Sequence, residues 1–170
     1  MSTAISAERR RAPADQDPNL RSEYVQSLHL IERLHRLLLD VIKDEFDRTG
    51  TSDLNAVQAL LLYNMGDNEL TAGELKSRGF YMGSNVSYNL KKLVEMGYIH
   101  YKRSDTDRRS VRVSLTDRGH EAREVVQKLY QRQLGSVQAV GQIGSEEIRG
   151  LNKALVRLER FWSDQIRYRL

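Results

Sequence analysis

Residues 97 to 119, GYIHYKRSDTDRRSVRVSLTDRG, constrain this chain more than any other segment, because they set two short strands and a charged loop directly behind an amphipathic helix. Val111, Val113 and Leu115 alternate with Arg112 and Ser114, the period-2 pattern of a strand with one buried face, and Ile99 and Tyr101 suit a partner strand before it. Asp105 to Ser110 then form the tip of a hairpin. A hairpin so placed reads as a wing beside a recognition helix. Its tip carries Arg108 and Arg109, with Asp107 close enough to fix a guanidinium by a bidentate hydrogen bond. Guanidinium suits phosphate and the narrow minor groove, so the segment predicts DNA binding.

The residues before the wing support the same reading. Glu69-Leu70 can supply a short strand to pair with the hairpin, and Thr71-x-x-Glu74 is a capping-box pattern that opens a short helix from Ala72 to near Gly79. After a turn of Phe80 to Gly83, a second helix starts at Ser84 and breaks at Gly97, which completes a helix-turn-helix. In that second helix Val86, Leu90, Leu93 and Val94 face inward. The opposite face offers Asn85, Ser87, Tyr88, Lys91 and Lys92, with Ser84 and Asn89 towards its edges. Asn can bond adenine N6 and N7 together, Ser reads donors or acceptors loosely, and Lys binds phosphate or guanine. A solvated helix face would carry similar residues; the position between a helix-turn and a wing is what favours base readout. Lys102 and Arg103 join Asp107, Arg108 and Arg109 as the wing's candidate contacts.

Charge maps onto this segment. The chain's formal net charge is +4, but residues 76 to 112 hold nine basic residues against three acidic ones, a net of +6 that leaves −2 elsewhere. Such asymmetry is the footprint of a polyanion-binding face.

Outside the lobe the pattern is helical. Residues 1 to 18 contain both prolines, an Arg9-Arg10-Arg11 run and almost no apolar periodicity, so a disordered tail is expected, followed by a single domain over 19–170. From Leu20 to Arg48 apolar positions recur every three or four residues, and a second stripe at Leu30, Leu37 and Val41 widens the apolar face beyond what a monomer's surface helix needs. Asp53 or Ser52 is expected to cap a helix over Leu54 to Met65, stopped by Gly66-Asp67-Asn68. Thr116 caps a helix from Asp117 to about Val140, and Ser145-Glu146-Glu147 opens another. In the last helix Ile148, Leu151, Leu155, Leu158, Trp162 and Ile166 recur at spacings of three and four, a coiled-coil-like seam suited to a second copy of the chain. Leu151, Leu155, Leu158 and Trp162 are the candidate dimer interface.

Asp107-Arg108-Arg109, then Val111-x-Val113-x-Leu115-Thr116-x-x-Gly119, preceded by Gly97, Val86-Ser87 and Leu93, together resemble the MarR family of bacterial transcription regulators. The resemblance spans roughly residues 24 to 168 and is densest from 72 to 119. It implies a mainly α fold with a small β-hairpin wing: a winged helix-turn-helix lobe over about 53–116, with dimerisation helices over about 20–48 and 117–168. It also implies a homodimer on a pseudo-palindromic operator of double-stranded DNA, and a small-molecule effector held between the dimerisation helices and the DNA-binding lobe. Tyr24, His29, His35 and Tyr63 are the candidates for that pocket, each of which would serve equally well as core or interface. Family members often carry Arg where Tyr88 stands and an apolar residue at Asn89, departures that bear on sequence preference.

Other classes find little support. The chain has no cysteine, which removes disulfides and thiolate metal sites. His29 and His35 lie six apart, not the three or four that share a helix face, so neither a metal nor a cofactor is expected. Gly79-x-x-x-Gly83 lacks the Lys-Ser/Thr of a phosphate loop, and no nucleophile elbow is present, so the chain does not read as an enzyme. No apolar run approaches the length of a membrane span or a signal segment, and a cytoplasmic, nucleoid-associated bacterial protein is expected. The rival reading is a winged-helix interaction module that binds an acidic protein, separable from the first by the salt and sequence dependence of DNA binding.

Overall fold

The computed structural model describes residues 18–51, 53–67, 69–71, 74–75, 83–103 and 111–168, with backbone alone for residues 18, 83–86, 103 and 111. The expected tail up to residue 17, most of the short helix after Thr71, and the wing tip with Asp107, Arg108 and Arg109 lie outside the described residues. Five helices and three strands are described: α1 (Pro18–Thr49), α2 (Ala56–Met65), β1 (Leu70–Thr71), α3 (Gly83–Glu95), β2 (Ile99–Arg103), β3 (Val111–Leu115), α4 (Asp117–Ala139) and α5 (Ser145–Tyr168). Pro18, assigned above to the tail, is the first residue of α1, where its fixed φ suits a helix start.

The chain divides into two compact units, residues 1–41 and 42–170. In the first, α1 leaves Leu20, Tyr24, Val25, Leu30, Leu34 and Leu37 exposed. The second holds the core. There Ile42 and Phe46, from the end of α1, are buried along with Leu61, Leu62 and Met65 of α2 and Ala122, Val126 and Leu129 of α4. α2 packs along α4, and Tyr63 meets Tyr130 edge to face with ring centroids 5.0 Å apart. Glu45 is buried as well. Its carboxylate accepts from Arg48 at 2.7 Å and from Arg132 of α4 at 2.6 Å, and the Arg48 hydrogen bond holds its pKa below the ordinary value against the opposing effect of burial.

The cap of α2 departs from expectation. Asn55 occupies the N-cap, accepting from the Gln58 N–H while the Gln58 side chain accepts from the Asn55 N–H. Asp53 is committed to partners distant in sequence. The Thr71–Glu74 capping box forms as expected, with both reciprocal bonds at 2.6 and 3.1 Å, and Glu74 and Leu75 are helical.

The sheet has the order β1-β3-β2, antiparallel throughout, with Leu70 opposite Val113, and Ile99 opposite Leu115. Ile99, Val113 and Leu115 are buried, as their alternation predicts. Thr116 caps α4 through the Gly119 N–H, again as expected. Glu147 of α5 accepts from the Gly144 N–H at 2.8 Å, so its first turn closes the connection from α4. Of the 24 residues of α5 none is buried.

Candidate nucleic-acid interface

α3 presents one face to the core and another to solvent, and its sequence dictates which. Leu90 and Leu93 are buried and Val94 half-buried, while Ser87, Tyr88 and Lys91 project outward, with Tyr88 62% exposed. Ser84 and Asn85 occupy the first turn of the same helix. Asn89, expected at the edge of the reading face, is turned inward and only 9% exposed. At 100° per residue it lies about 40° beyond Leu93, on the side away from Leu90 and Val94, so the packed face is wider than the apolar residues alone suggest.

Lys92 does not stand free beside Lys91. Its Nζ lies 2.9 Å from a Glu95 oxygen and that of Lys91 3.9 Å from the other. The hydrogen bond raises the pKa of Lys92 and lowers that of Glu95, so both stay charged at neutral pH. A phosphate approaching this end of the helix must therefore compete with an internal carboxylate.

The wing's strands flank α3. Ser87, Leu90, Lys91, Val94 and Glu95 form one wall of a groove of about 580 Å³, and Tyr101 and Val113 of the strands form the other. Tyr101, expected as a strand residue, is 53% exposed at the rim. It shares a face with Val113, its partner in register, but lies beyond the reach of α3's cover. Neither Tyr101 nor the groove is legible as part of the interface from alternation alone. Lys102 is exposed opposite Arg112, whose guanidinium reaches Glu69 at 3.2 Å beside β1. Arg103 ends β2 at the root of the tip.

Behind the interface, the end of α3 is held by α4. Gly97 adopts φ 76°, a left-handed conformation that favours glycine and ends the helix. The Thr116 hydroxyl donates to the Gly97 carbonyl at 2.7 Å, and the Thr116 N–H to the Tyr98 carbonyl at 3.1 Å. Arg118 donates to the Met96 carbonyl and to Asp53 Oδ2, each at 2.6 Å, and lies over the Tyr98 ring at 4.3 Å. The Tyr98 hydroxyl donates to Asp53 Oδ1 at 2.8 Å. Burial, then the adjacent carboxylate, push the pKa of Tyr98 up to about 12, so it remains a donor at any working pH.

The residues proposed from sequence for other roles are scattered. Tyr24, His29 and His35 lie on α1 within the first unit, where His29 lines shallow surface hollows, whereas Tyr63 packs on Tyr130 in the second. No cluster of His, Asp or Glu that could hold a metal ion occurs among the described residues. Leu151 and Leu155 of α5 are exposed, and Leu158 and Trp162 are partly so. Between the end of α4 and α5 lies a cavity of about 1010 Å³, walled by Leu134, Val137, Ile143, Ile148 and Val156.

Residues 54–119 match the family described as a winged helix DNA-binding domain. The exopolysaccharide II synthesis transcriptional activator ExpG of Rhizobium meliloti is 35% identical over 148 residues, which cover 85% of this chain and 74% of that protein. Among solved structures, a mutant MarR from E. coli complexed with operator DNA superposes with a TM-score of 0.66 at 21% identity, covering 82% of this chain and 97% of its own. FabT of Streptococcus pneumoniae in complex with DNA gives 0.60 at 22% identity, covering 87% and 99%. At these identities the two structures establish a shared fold.

Proposed function

The chain belongs to the MarR family of winged-helix transcription regulators, and from that premise we propose that it acts as a homodimer on a pseudo-palindromic operator. The observation that carries the proposal is the outward face of α3: Ser87, Tyr88 and Lys91 project together over a floor of Leu90 and Leu93, and Lys102 of the wing is exposed as well. Two such helices would enter major grooves about one helical turn apart, ~34 Å. Ser84, Asn85, Ser87 and Tyr88 read base edges in this scheme, and Lys91, Lys92, Lys102, Arg103 and Arg108 neutralise phosphates. Arg109, oriented by Asp107, enters the flanking minor groove.

The second copy is supported by the unburied seam of α5, where Leu151 and Leu155 are exposed and Leu158 is partly so. Control by a small-molecule effector completes the proposal. Such a ligand must bind the DNA-competent and incompetent dimers unequally, since equal affinity shifts nothing. No helix among the described residues is long and apolar enough to cross a membrane. We assign the protein to the bacterial cytoplasm.

Equilibrium binding to an operator found by genome-wide site mapping, set against random DNA, tests the reading. Lys91→Ala or Lys102→Ala should weaken binding to both DNAs and flatten the salt dependence by about one unit for each phosphate no longer neutralised. Ser87→Ala should weaken operator binding more than random binding. Losses in equal proportion on both DNAs would refute base readout by α3, and salt-insensitive binding with no sequence preference would point instead to an acidic protein partner.

A further inference from the structure

We propose that Arg118 is a positioning residue for DNA readout, which fixes the angle of α3 from behind through Met96, Asp53 and Tyr98 without touching DNA. The proposal rests on α3 being the reading element. The last carbonyls of a helix have no partner within it and must find one elsewhere. Here the N–H groups of Met96, Gly97 and Tyr98 turn back onto the Lys92, Val94 and Leu93 carbonyls, the Met96 carbonyl is taken by Arg118 and the Gly97 carbonyl by Thr116. Arg118 uses three features of its guanidinium: one nitrogen for the turn that ends α3, another for Asp53 of the segment before α2, and its flat face for Tyr98. Three segments far apart in sequence are thereby joined at one planar group on α4.

The geometry matters because α3 is a lever. Its 13 residues span ~20 Å, so a tilt of about 5° at the held end moves the far end by nearly 2 Å. Hydrogen bonds to base edges do not survive displacements of that size, whereas attraction between lysines and phosphates changes little. The charge of Arg118 is already matched by Asp53, so its removal should leave the salt dependence of binding as it was.

Arg118→Lys and Arg118→Ala test the inference, with Arg123→Ala as control, since Arg123 lies on the same helix but pairs with Asp67 near β1 at 2.6 Å. Tyr98→Phe, which keeps the ring and removes only the hydroxyl, serves if the Arg118 variants fold poorly. Both Arg118 variants should lose roughly tenfold on operator, within what remote positioning residues carry. Random DNA should be bound within about twofold of wild type at an unchanged salt slope. Tyr98→Phe should lose operator affinity in the same selective way but to a smaller extent, and Arg123→Ala should keep it whatever its melting temperature. The inference is overturned if lysine restores wild-type binding, if affinity for both DNAs falls together with the slope, or if Arg123→Ala matches Arg118→Ala. Wild-type protein with no operator preference would overturn the reading beneath the clamp, and the clamp with it.

Discussion

Gly119→Ala should destabilise the protein although alanine is the better helix former. Gly119 is buried in the first turn of α4, and a Cβ there would run into the carbonyl oxygen of Tyr98 and approach the Leu115 side chain at 3.2 Å. That oxygen belongs to backbone already bonded to the Thr116 N–H, so it cannot swing aside as a flexible side chain would. Overpacking of this kind costs about 1–3 kcal/mol. The strained Thr116–Tyr98 hydrogen bond adds about 1 kcal/mol, and the gain in helix propensity returns about as much. A net destabilisation of about 1–3 kcal/mol corresponds to a melting temperature lower by roughly 3–10 °C for a chain of this size. Gly135 lies in the same helix with nothing within 4 Å of where its Cβ would stand, so Gly135→Ala should raise the melting temperature by about 2–4 °C. Paired thermal denaturation of the two variants decides the matter. If both substitutions stabilise, the close approach of α4 to Tyr98 is not what selects glycine at 119.

Leu158→Asp should convert the dimer to monomer by placing an unpaired charge in the α5 seam; sedimentation at micromolar concentration checks it, and a wild-type monomer there would remove the dimer from the proposal. Glu95→Gln frees two lysines from an internal competitor, so it should tighten binding to operator and random DNA alike and steepen the salt dependence in titrations at low and moderate salt. Because the folded pKa of Glu45 is depressed, its contribution to stability is full above the unfolded value near 4.5 and is lost as pH falls through the lower folded value. The melting temperature of Glu45→Gln should therefore lie below wild type at neutral pH, with the gap narrowing in acid.

Local chemistry is legible in the sequence and long-range chemistry is not. Thr116 before Asp117, and Thr71 three residues before Glu74, announce their caps because both halves of each interaction sit within one turn. Asp53 fits a cap by the same rule, yet its carboxylate goes to Tyr98 and Arg118, 45 and 65 residues away, and Asn55 caps in its place. Asn89 shows a second limit: residue type places it on the polar face, whereas the helix turns it towards the core. Tyr101 falls in its strand as expected, but alternation does not say how far the covering helix extends, and its ring is left exposed. For the four effector candidates the sequence holds only residue types; three fall on α1 in one unit and Tyr63 in the other.

The strand order β1-β3-β2 makes the wing a cantilever. Among the described strands only β3 is gripped on both sides: β2 pairs with it from Ile99 to Arg103, and β1 clasps its opposite edge for two residues at Arg112 and Val113. Any load applied to β2 must cross β3 to reach β1, and the Arg112–Glu69 ion pair sits at that fulcrum. Stiffness of the wing is therefore set at its root, far from the tip, so substitutions at Glu69 or Leu70 should alter its bending without changing a single group that it presents.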